Sequence, residues 1–292
     1  MGFNVTSLLV DSFVDQLRKG YEKTYGHSNE HYKEIICWAA GMALDIIANS
    51  DALYHNVKHT IHVTLVGQEI LRGKHIREGG VTSEDWLHCI ISLLCHDIGY
   101  VKGVCRRDDR ETGVYATGRG DEVVHIDENA TDASLTPYHV DRGKLFIAER
   151  FSNHSIINVE KIQKNIELTR FPVPHGEDHK DTKGYPGIVR AADLTGQMCD
   201  PRYLQKIAAL YYEFVETGTA QKLGYSSPGA LKKNYPKFYW KSVYPYIKHS
   251  LAYLNTTQEG KSYVSGLYSN VFSLEHIVEP TPEEDDSAAL EE

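Results

Sequence analysis

Apolar residues recur at a spacing of three or four along most of the chain, and strand-like alternation is scarce. This pattern is typical of amphipathic α-helices packed around a common core. A first helix is marked by apolar positions from residue 8 to 17 and is expected to end near Gly20. The remaining helices are expected at residues 35–47, 56–77, 82–97, 137–151, 159–168, 187–197, 201–217, 239–254 and 258–275. No internal repeat or linker divides the chain, so the fold class predicted is all-α, a single compact helical domain.

Two of these helices begin with recognisable capping residues. Thr82 precedes an acidic first turn, which is typical of an N-terminal cap. Thr136 and Pro137 predict the start of a later helix, because proline at the first helical position loses no backbone hydrogen bond.

Composition and charge exclude several classes of protein. The 292 residues are 41% apolar and 24% charged, as in an ordinary globular protein, and contain no apolar run of the ~18–20 residues that span a bilayer. The net charge is −9, but residues 279–292 hold seven acids and no base, so the rest of the chain carries only −2. We therefore expect an acidic disordered tail at 279–292, no nucleic-acid partner and no stable membrane association.

The cysteines bear on the cellular compartment. There are five, an odd number, and none form a Cys-x-x-Cys pair. This argues against a disulfide framework or a cysteine zinc site, and it favours a reducing, cytoplasmic location.

Histidines and acids in helical register are the candidate chemistry. His55 and His59 are four residues apart and so project from one face of a helix. The apolar run of the helix at 82–97 ends in His96 and Asp97, a pair that is costly to bury without partners. A divalent cation bound by imidazole and carboxylate groups would satisfy both side chains. Asp193, after two alanines, places another carboxylate on a later apolar helix.

Taken together, these motifs resemble a known superfamily. The segments that carry the resemblance are Tyr54-His55-Asn56-Val57-Lys58-His59, His96-Asp97 and Ala191-Ala192-Asp193-Leu194. They are similar to the HD-domain metal-dependent phosphohydrolases, and most similar to the catalytic domain of class I cyclic nucleotide phosphodiesterases. The resemblance covers residues 30–255 and implies an all-α HD/PDEase-like domain, taken here as residues 1–278. It also implies a phosphodiesterase. Its substrate would be a small-molecule phosphoester, namely a nucleotide, and 3′,5′-cyclic nucleotides are among the candidates.

The same resemblance implies roles for individual residues. His59, His96, Asp97 and Asp193 would bind the tighter of two divalent ions, which could be Mg, Mn, Zn or Fe, and Asp97 would bridge to the second. In such two-metal sites a metal-activated hydroxide attacks phosphorus. His55 would be the general acid, and His55 and Asp97 are the predicted catalytic residues. Weaker candidates for substrate binding are Asn56, His139 and Arg170.

Departures from the family pattern keep other functions open. The family usually has Asp where this chain has His62, and a histidine soon after His-Asp where this chain reads Ile98-Gly99-Tyr100. One alternative is an HD-fold di-iron oxygenase, which needs more protein ligands for its second iron, with His139 as the obvious candidate. Another is a non-catalytic HD-fold sensory or binding module, although such a module has no need of all four ligands.

The segment between residues 99 and 136 lacks helical periodicity. A stretch of this length inside a compact domain is more often a lid or binding loop than a connector. Because it leaves directly from His96-Asp97, we expect it to border the mouth of the active site.

Overall fold

The all-α prediction is confirmed by a computed structural model, which describes residues 5–275 and is 68% helical. Its α-helices are α1 (Val5–Tyr25), α2 (Glu30–Ile47), α3 (Val57–Glu78), α4 (Ser83–Cys95), α5 (His139–Phe151), α6 (Val159–Glu167), α7 (Tyr185–Cys199), α8 (Tyr203–Glu216), α9 (Thr219–Lys222), α10 (Pro228–Phe238), α11 (Tyr244–Leu254) and α12 (Gln258–Glu275). A small antiparallel sheet joins β1 (Val114–Ala116) to β2 (Val123–His125), with Val114 opposite His125. The predicted acidic tail, residues 279–292, lies outside the described residues.

Helices α3 and α7 pack along each other at the centre of the domain. A Cβ atom at Gly196 of α7 would lie 2.7 Å from the Cα atom of Val63 in α3, so glycine permits this close approach. Helix α4 packs against both helices and buries every residue from Trp86 to Cys95. The three helices therefore bring the candidate residues at their ends and faces to one place in the core.

The start of α4 follows the predicted capping signal. The Thr82 side chain accepts a hydrogen bond from the Asp85 backbone N–H, and the Asp85 carboxylate accepts one from the Thr82 N–H, which completes a capping box. This fixes the register of the buried helix, and therefore the point at which it delivers His96 and Asp97.

Several predicted helix boundaries differ from the structure: α2, for example, begins at Glu30 rather than at residue 35, and two others have an identifiable cause. Helix α1 continues through Gly20 to Tyr25. Gly20 does not end the helix but leaves space for a side chain of α3, because a Cβ atom there would lie 2.2 Å from Nε2 of Gln68. Helix α5 begins at His139 rather than Pro137, since Thr136 closes a preceding 3-10 turn and donates its hydroxyl to the carbonyl of Ala133.

The segment 99–136 is fastened to α5 by a fully buried arginine. Arg142 donates from Nε to the carbonyl of Gly99 (2.7 Å), from Nη2 to that of Val101 (3.0 Å) and from Nη1 to that of Ala116 (2.5 Å). It also forms a bidentate ion pair with Asp108, at 2.9 and 3.0 Å, and neither side chain is exposed to solvent. Every nitrogen of the guanidinium thus has a partner, and the segment is anchored along much of its length.

We expect the Asp108→Ala variant to be strongly destabilised, because it leaves the Arg142 guanidinium buried without a counter-charge. Breaking a buried ion pair in this way costs ~3–5 kcal/mol of unfolding free energy, which urea denaturation would measure. Asp121→Ala is the matched control, since Asp121 is fully exposed and pairs with a half-exposed Arg107. Equal stability of the two variants would show that the buried pair does not hold the segment.

No helix within residues 5–275 combines the length and the apolar character needed to cross a membrane.

Candidate metal centre

Three helices supply the predicted ligands. His59 lies in the first turn of α3, His96 and Asp97 directly follow α4, and Asp193 lies in the middle of α7. Asn56 caps α3, its Oδ1 accepting from the Lys58 N–H (3.1 Å) while its Nδ2 donates to the Leu53 carbonyl (3.0 Å). Asn56 therefore shapes the turn that presents His59.

The structure brings these side chains together. Nε2 of His59 lies 3.2 Å from Oδ2 of Asp97 and 3.6 Å from Oδ1 of Asp193. Nε2 of His96 lies 3.1 Å from Oδ2 of Asp97 and 3.6 Å from Oδ1 of Asp193. Potential ligand atoms of His59, His96 and Asp193 all lie within 4.8 Å of one another, and this is a cluster that could hold a metal ion.

Two polar atoms at the centre of the cluster are buried and have no hydrogen-bond partner: Nε2 of His96 and Oδ2 of Asp97. Nδ1 of His96 faces the carbonyl of Leu93 at 2.7 Å, and because a carbonyl only accepts, this nitrogen carries a proton. In the neutral ring Nε2 is then left with a lone pair directed into the cluster. Fixing one ring nitrogen in this way is how metal-binding histidines are oriented.

The carboxylates of the cluster are held in the ionised form. Burial raises the pKa of Asp97, but the neighbouring imidazoles of His59 and His96 together bring it well below its usual range. Burial likewise raises the pKa of Asp193, and the neighbouring imidazoles of His59 and His96 lower it to about 2. Two imidazoles and two ionised carboxylates form a donor set suited to a divalent cation of the Zn, Mn or Fe type.

His55 lies beside this cluster, and its partner is a residue that the sequence did not reveal. Nδ1 of His55 is 2.6 Å from Oε2 of Glu213 on α8, and the other oxygen of Glu213 accepts from the Tyr54 N–H at 2.7 Å. Burial lowers the pKa of His55. The negative charge of Glu213 and its hydrogen bond with the ring raise that pKa by more, so the pKa lies above its ordinary value. His55 is therefore biased toward the protonated imidazolium form, and its Nε2 remains available as a donor.

A stack of three rings forms a wall next to His55. The Tyr100 ring lies parallel to His55, with centroids 4.4 Å apart and planes at 13°, and on its other side it stacks on His139 at 4.4 Å and 21°. Gly99 permits this arrangement, because a Cβ there would lie 1.9 Å from the carbonyl oxygen of His139. The start of the segment 99–136 thus lies beside His55.

His139 is a half-buried imidazole with one nitrogen fixed. Its Nδ1 faces the carbonyl of Thr136 at 2.6 Å and so carries a proton, while burial lowers the pKa of the ring. The ring is therefore neutral near pH 7 and keeps a free lone pair on Nε2.

Arg170 occupies a different environment from the one expected of a phosphate-binding group. Nε and Nη2 donate to Glu167 at 2.8 and 2.9 Å, and Nη2 also donates to Asp141 at 2.8 Å. The guanidinium joins the end of α6 to α5 through these ion pairs. Its role in substrate binding stays a prediction.

Comparison with known proteins identifies the family. A family model described as Npun_R2479-like matches residues 3–277. The chain belongs to the Npun_R2479-like family. The match includes every candidate ligand, as well as His55, Glu213, Tyr100 and His139, and it stops short of the acidic residues 279–292. No curated protein matches the chain, and the description of the Npun_R2479-like family states no activity, metal or substrate.

Proposed function

We propose that this member of the Npun_R2479-like family is a metal-dependent phosphohydrolase, a phosphodiesterase that acts on a nucleotide phosphoester, including a 3′,5′-cyclic one. The observation that carries the proposal is the buried cluster of His59, His96, Asp97 and Asp193, with Nε2 of His96 and Oδ2 of Asp97 lacking partners. The resemblance of the same residues to the HD-domain motif supports it.

The cluster would hold one divalent cation, with His59, His96, Asp97 and Asp193 as its ligands, and Asp97 would be shared with a second cation. When bound, such ions neutralise charge on a phosphoryl group and lower the pKa of water. The chain itself contributes the orientation of the ligands, since the Leu93 carbonyl fixes the His96 ring and the α3–α7 packing holds His59 opposite Asp193.

His55 would protonate the leaving alkoxide. Glu213 raises the pKa of His55 and so favours the charged ring, and it engages Nδ1, so that Nε2 is the nitrogen left to donate. The stacked ring of Tyr100 restrains rotation of the imidazole plane. A positioned, pre-charged acid of this kind is what departure of an alkoxide from phosphorus requires.

One observation favours a second candidate, an HD-fold di-iron oxygenase. His139 is neutral, has a free Nε2 and is joined to His55 through the Tyr100 stack, so it could add a protein ligand for a second iron. The phosphohydrolase is preferred because the second cation of a phosphodiesterase needs few protein ligands.

Metal analysis combined with an activity screen tests both candidates. The protein is loaded with Mg²⁺, Mn²⁺, Zn²⁺ or Fe²⁺ and assayed against cyclic nucleotides, nucleoside phosphates and an aryl phosphodiester. Hydrolysis that depends on the metal supports the phosphodiesterase. Two irons with a charge-transfer band and no hydrolysis of any substrate would favour the oxygenase instead.

The Glu213→Gln variant is expected to have a lower His55 pKa than the unmodified chain. Glutamine keeps an oxygen to accept the backbone N–H groups of Tyr54 and His55 but removes the charge that favours imidazolium. Histidine NMR titration would show the shift, and any activity that needs protonated His55 should decline at a lower pH on the alkaline side. Glu216→Gln, one turn away and bonded to Thr131, is the control. An unshifted His55 resonance in Glu213→Gln would exclude the proposed pairing.

A further inference from the structure

A continuous stretch of the chain is basic although the body as a whole is nearly neutral. Between residues 217 and 258 the sequence contains six lysines and no aspartate or glutamate. The net charge of the whole chain does not reveal this basic stretch, because acidic residues elsewhere offset its positive charge. It covers α9, α10, the π-helical turn Tyr239–Val243 and α11.

Three of these lysines are exposed, one each on α10, the π-helical turn and α11, and we name them the lysine stripe: Lys237, Lys241 and Lys248. Because these elements follow one another without a break, spacings of four and seven residues place the three lysines on one side of the helical path. Among residues 5–275, no carboxylate lies within ion-pair distance of any of the three. Some other lysines of the domain do have carboxylate partners, as Lys33 has Glu22 and Lys161 has Glu84. The stripe is therefore a surface of uncompensated positive charge.

The end of α12 lies at this surface. The indole N–H of Trp240, a residue that is 42% exposed, donates to Oε1 of Glu275 at 2.5 Å. Glu275 is the last described residue, so the chain continues from a point beside Trp240, the residue that precedes Lys241. Residues 276–292 follow, and seven of the last fourteen are acidic with no basic residue among them.

Length and charge make these two parts of the chain complementary. The eleven residue steps from Lys237 to Lys248 rise ~17 Å along a helix, and an extended chain covers ~3.3–3.6 Å per residue, so residues 279–286 can reach along the stripe. Single exposed ion pairs are weak, but several that form within one chain benefit from a high effective concentration. We propose that the acidic segment 279–292 binds the lysine stripe of its own chain and screens it from other polyanions.

Zero-length carbodiimide cross-linking of the full chain tests the proposal, because it joins only lysines and carboxylates that are in contact. We expect amide links from Glu283, Glu284, Asp285 or Asp286 to the lysine stripe, identified by mass spectrometry of digests. Since salt at 1 M shortens the screening length to ~3 Å, the links should fall about tenfold between 0.05 and 1 M NaCl.

The variant Lys237→Glu, Lys241→Glu, Lys248→Glu should lose the links. The matched control reverses three exposed lysines on other surfaces, Lys164, Lys183 and Lys261, and should keep them. A second variant replaces Glu283 and Glu284 by glutamine and Asp285 and Asp286 by asparagine, which tests the segment without changing the folded body. Absence of links, or links spread equally over the control lysines, would overturn the proposal. A mixture of light and ¹⁵N-labelled chains that gave mixed-mass links would overturn it in favour of a second copy as the occupant.

Discussion

Alanine in place of Asp193 is expected to remove most of the bound metal and, with it, any hydrolysis. Asp193 opposes both histidines at 3.6 Å, and its pKa of about 2 keeps it ionised throughout the range in which the protein would work. Loss of a residue that only orients a metal ligand costs ~10–100-fold in affinity, so loss of a charged ligand should cost at least about 100-fold. Metal content after dialysis against buffered metal would show the loss.

The control for this prediction is Asp178→Ala, which removes an exposed carboxylate that lies 3.1 Å from His179. It should retain metal and activity. Circular dichroism would establish that Asp193→Ala still folds, since an apolar replacement in the buried core of α7 need not disturb the helix. Full metal occupancy and activity in Asp193→Ala would remove Asp193 from the ligand set and with it the main support for the proposed function.

Some helices could be predicted from the sequence with their ends, although the local signal at Thr136 and Pro137 misplaced the start of α5. Helix α4 begins at the Thr82 capping box, α3 begins after its Asn56 cap, and α12 covers the predicted residues 258–275. The errors arose where tertiary contacts override local signals. Gly20 appeared to end α1 because a glycine is a poor helix former, whereas its role is to admit the side chain of Gln68.

Helices α9 and α10 were not predicted, and the reason is also physical. Helix α10 has three lysines and a proline, Pro236, in its interior, and of its residues only Tyr235 is buried. A helix with so narrow an apolar face gives almost no periodic signal. Its contacts with α8 and α12, which no local pattern encodes, are what stabilise it.

In the candidate site, too, some residues could be predicted from local sequence and others could not. Its four candidate ligands were predicted from the resemblance of their motifs to the HD-domain family, and the cost of burying His-Asp at the end of an apolar helix without partners favours the same residues. Glu213 could not be predicted as the partner of His55, since the two residues are 158 positions apart and Glu213 resembles any other acid on an amphipathic helix. The one available signal is its position on the apolar face of α8, where it is buried with Tyr203, Ile207 and Leu210. Tyr100 likewise gives no sign in the sequence of the two rings that enclose it.

Asparagine in place of His55 is expected to leave the metal and the fold intact while lowering kcat by ~10²–10⁴, the usual contribution of a general acid. His55 is close to the cluster, with its ring centroid 5.6 Å from that of His59, but its Nδ1 is held by Glu213 and it is not one of the four grouped ligands. Stopped assays under metal saturation would measure the loss. His125→Asn, an exposed histidine on β2, should have no effect.

The dependence of this loss on the leaving group separates proton donation from positioning. A nitrophenolate scarcely needs a proton, so its phosphodiester should lose little activity in His55→Asn, whereas a substrate that releases a sugar alkoxide should lose the full factor. Equal losses for both substrates would rule out His55 as the acid and leave it a structural role beside Tyr100. Loss of metal in the same variant would instead make His55 a ligand. A cluster with that additional imidazole, and with the free Nε2 of His139 nearby, would resemble the histidine-richer site that a di-iron oxygenase requires.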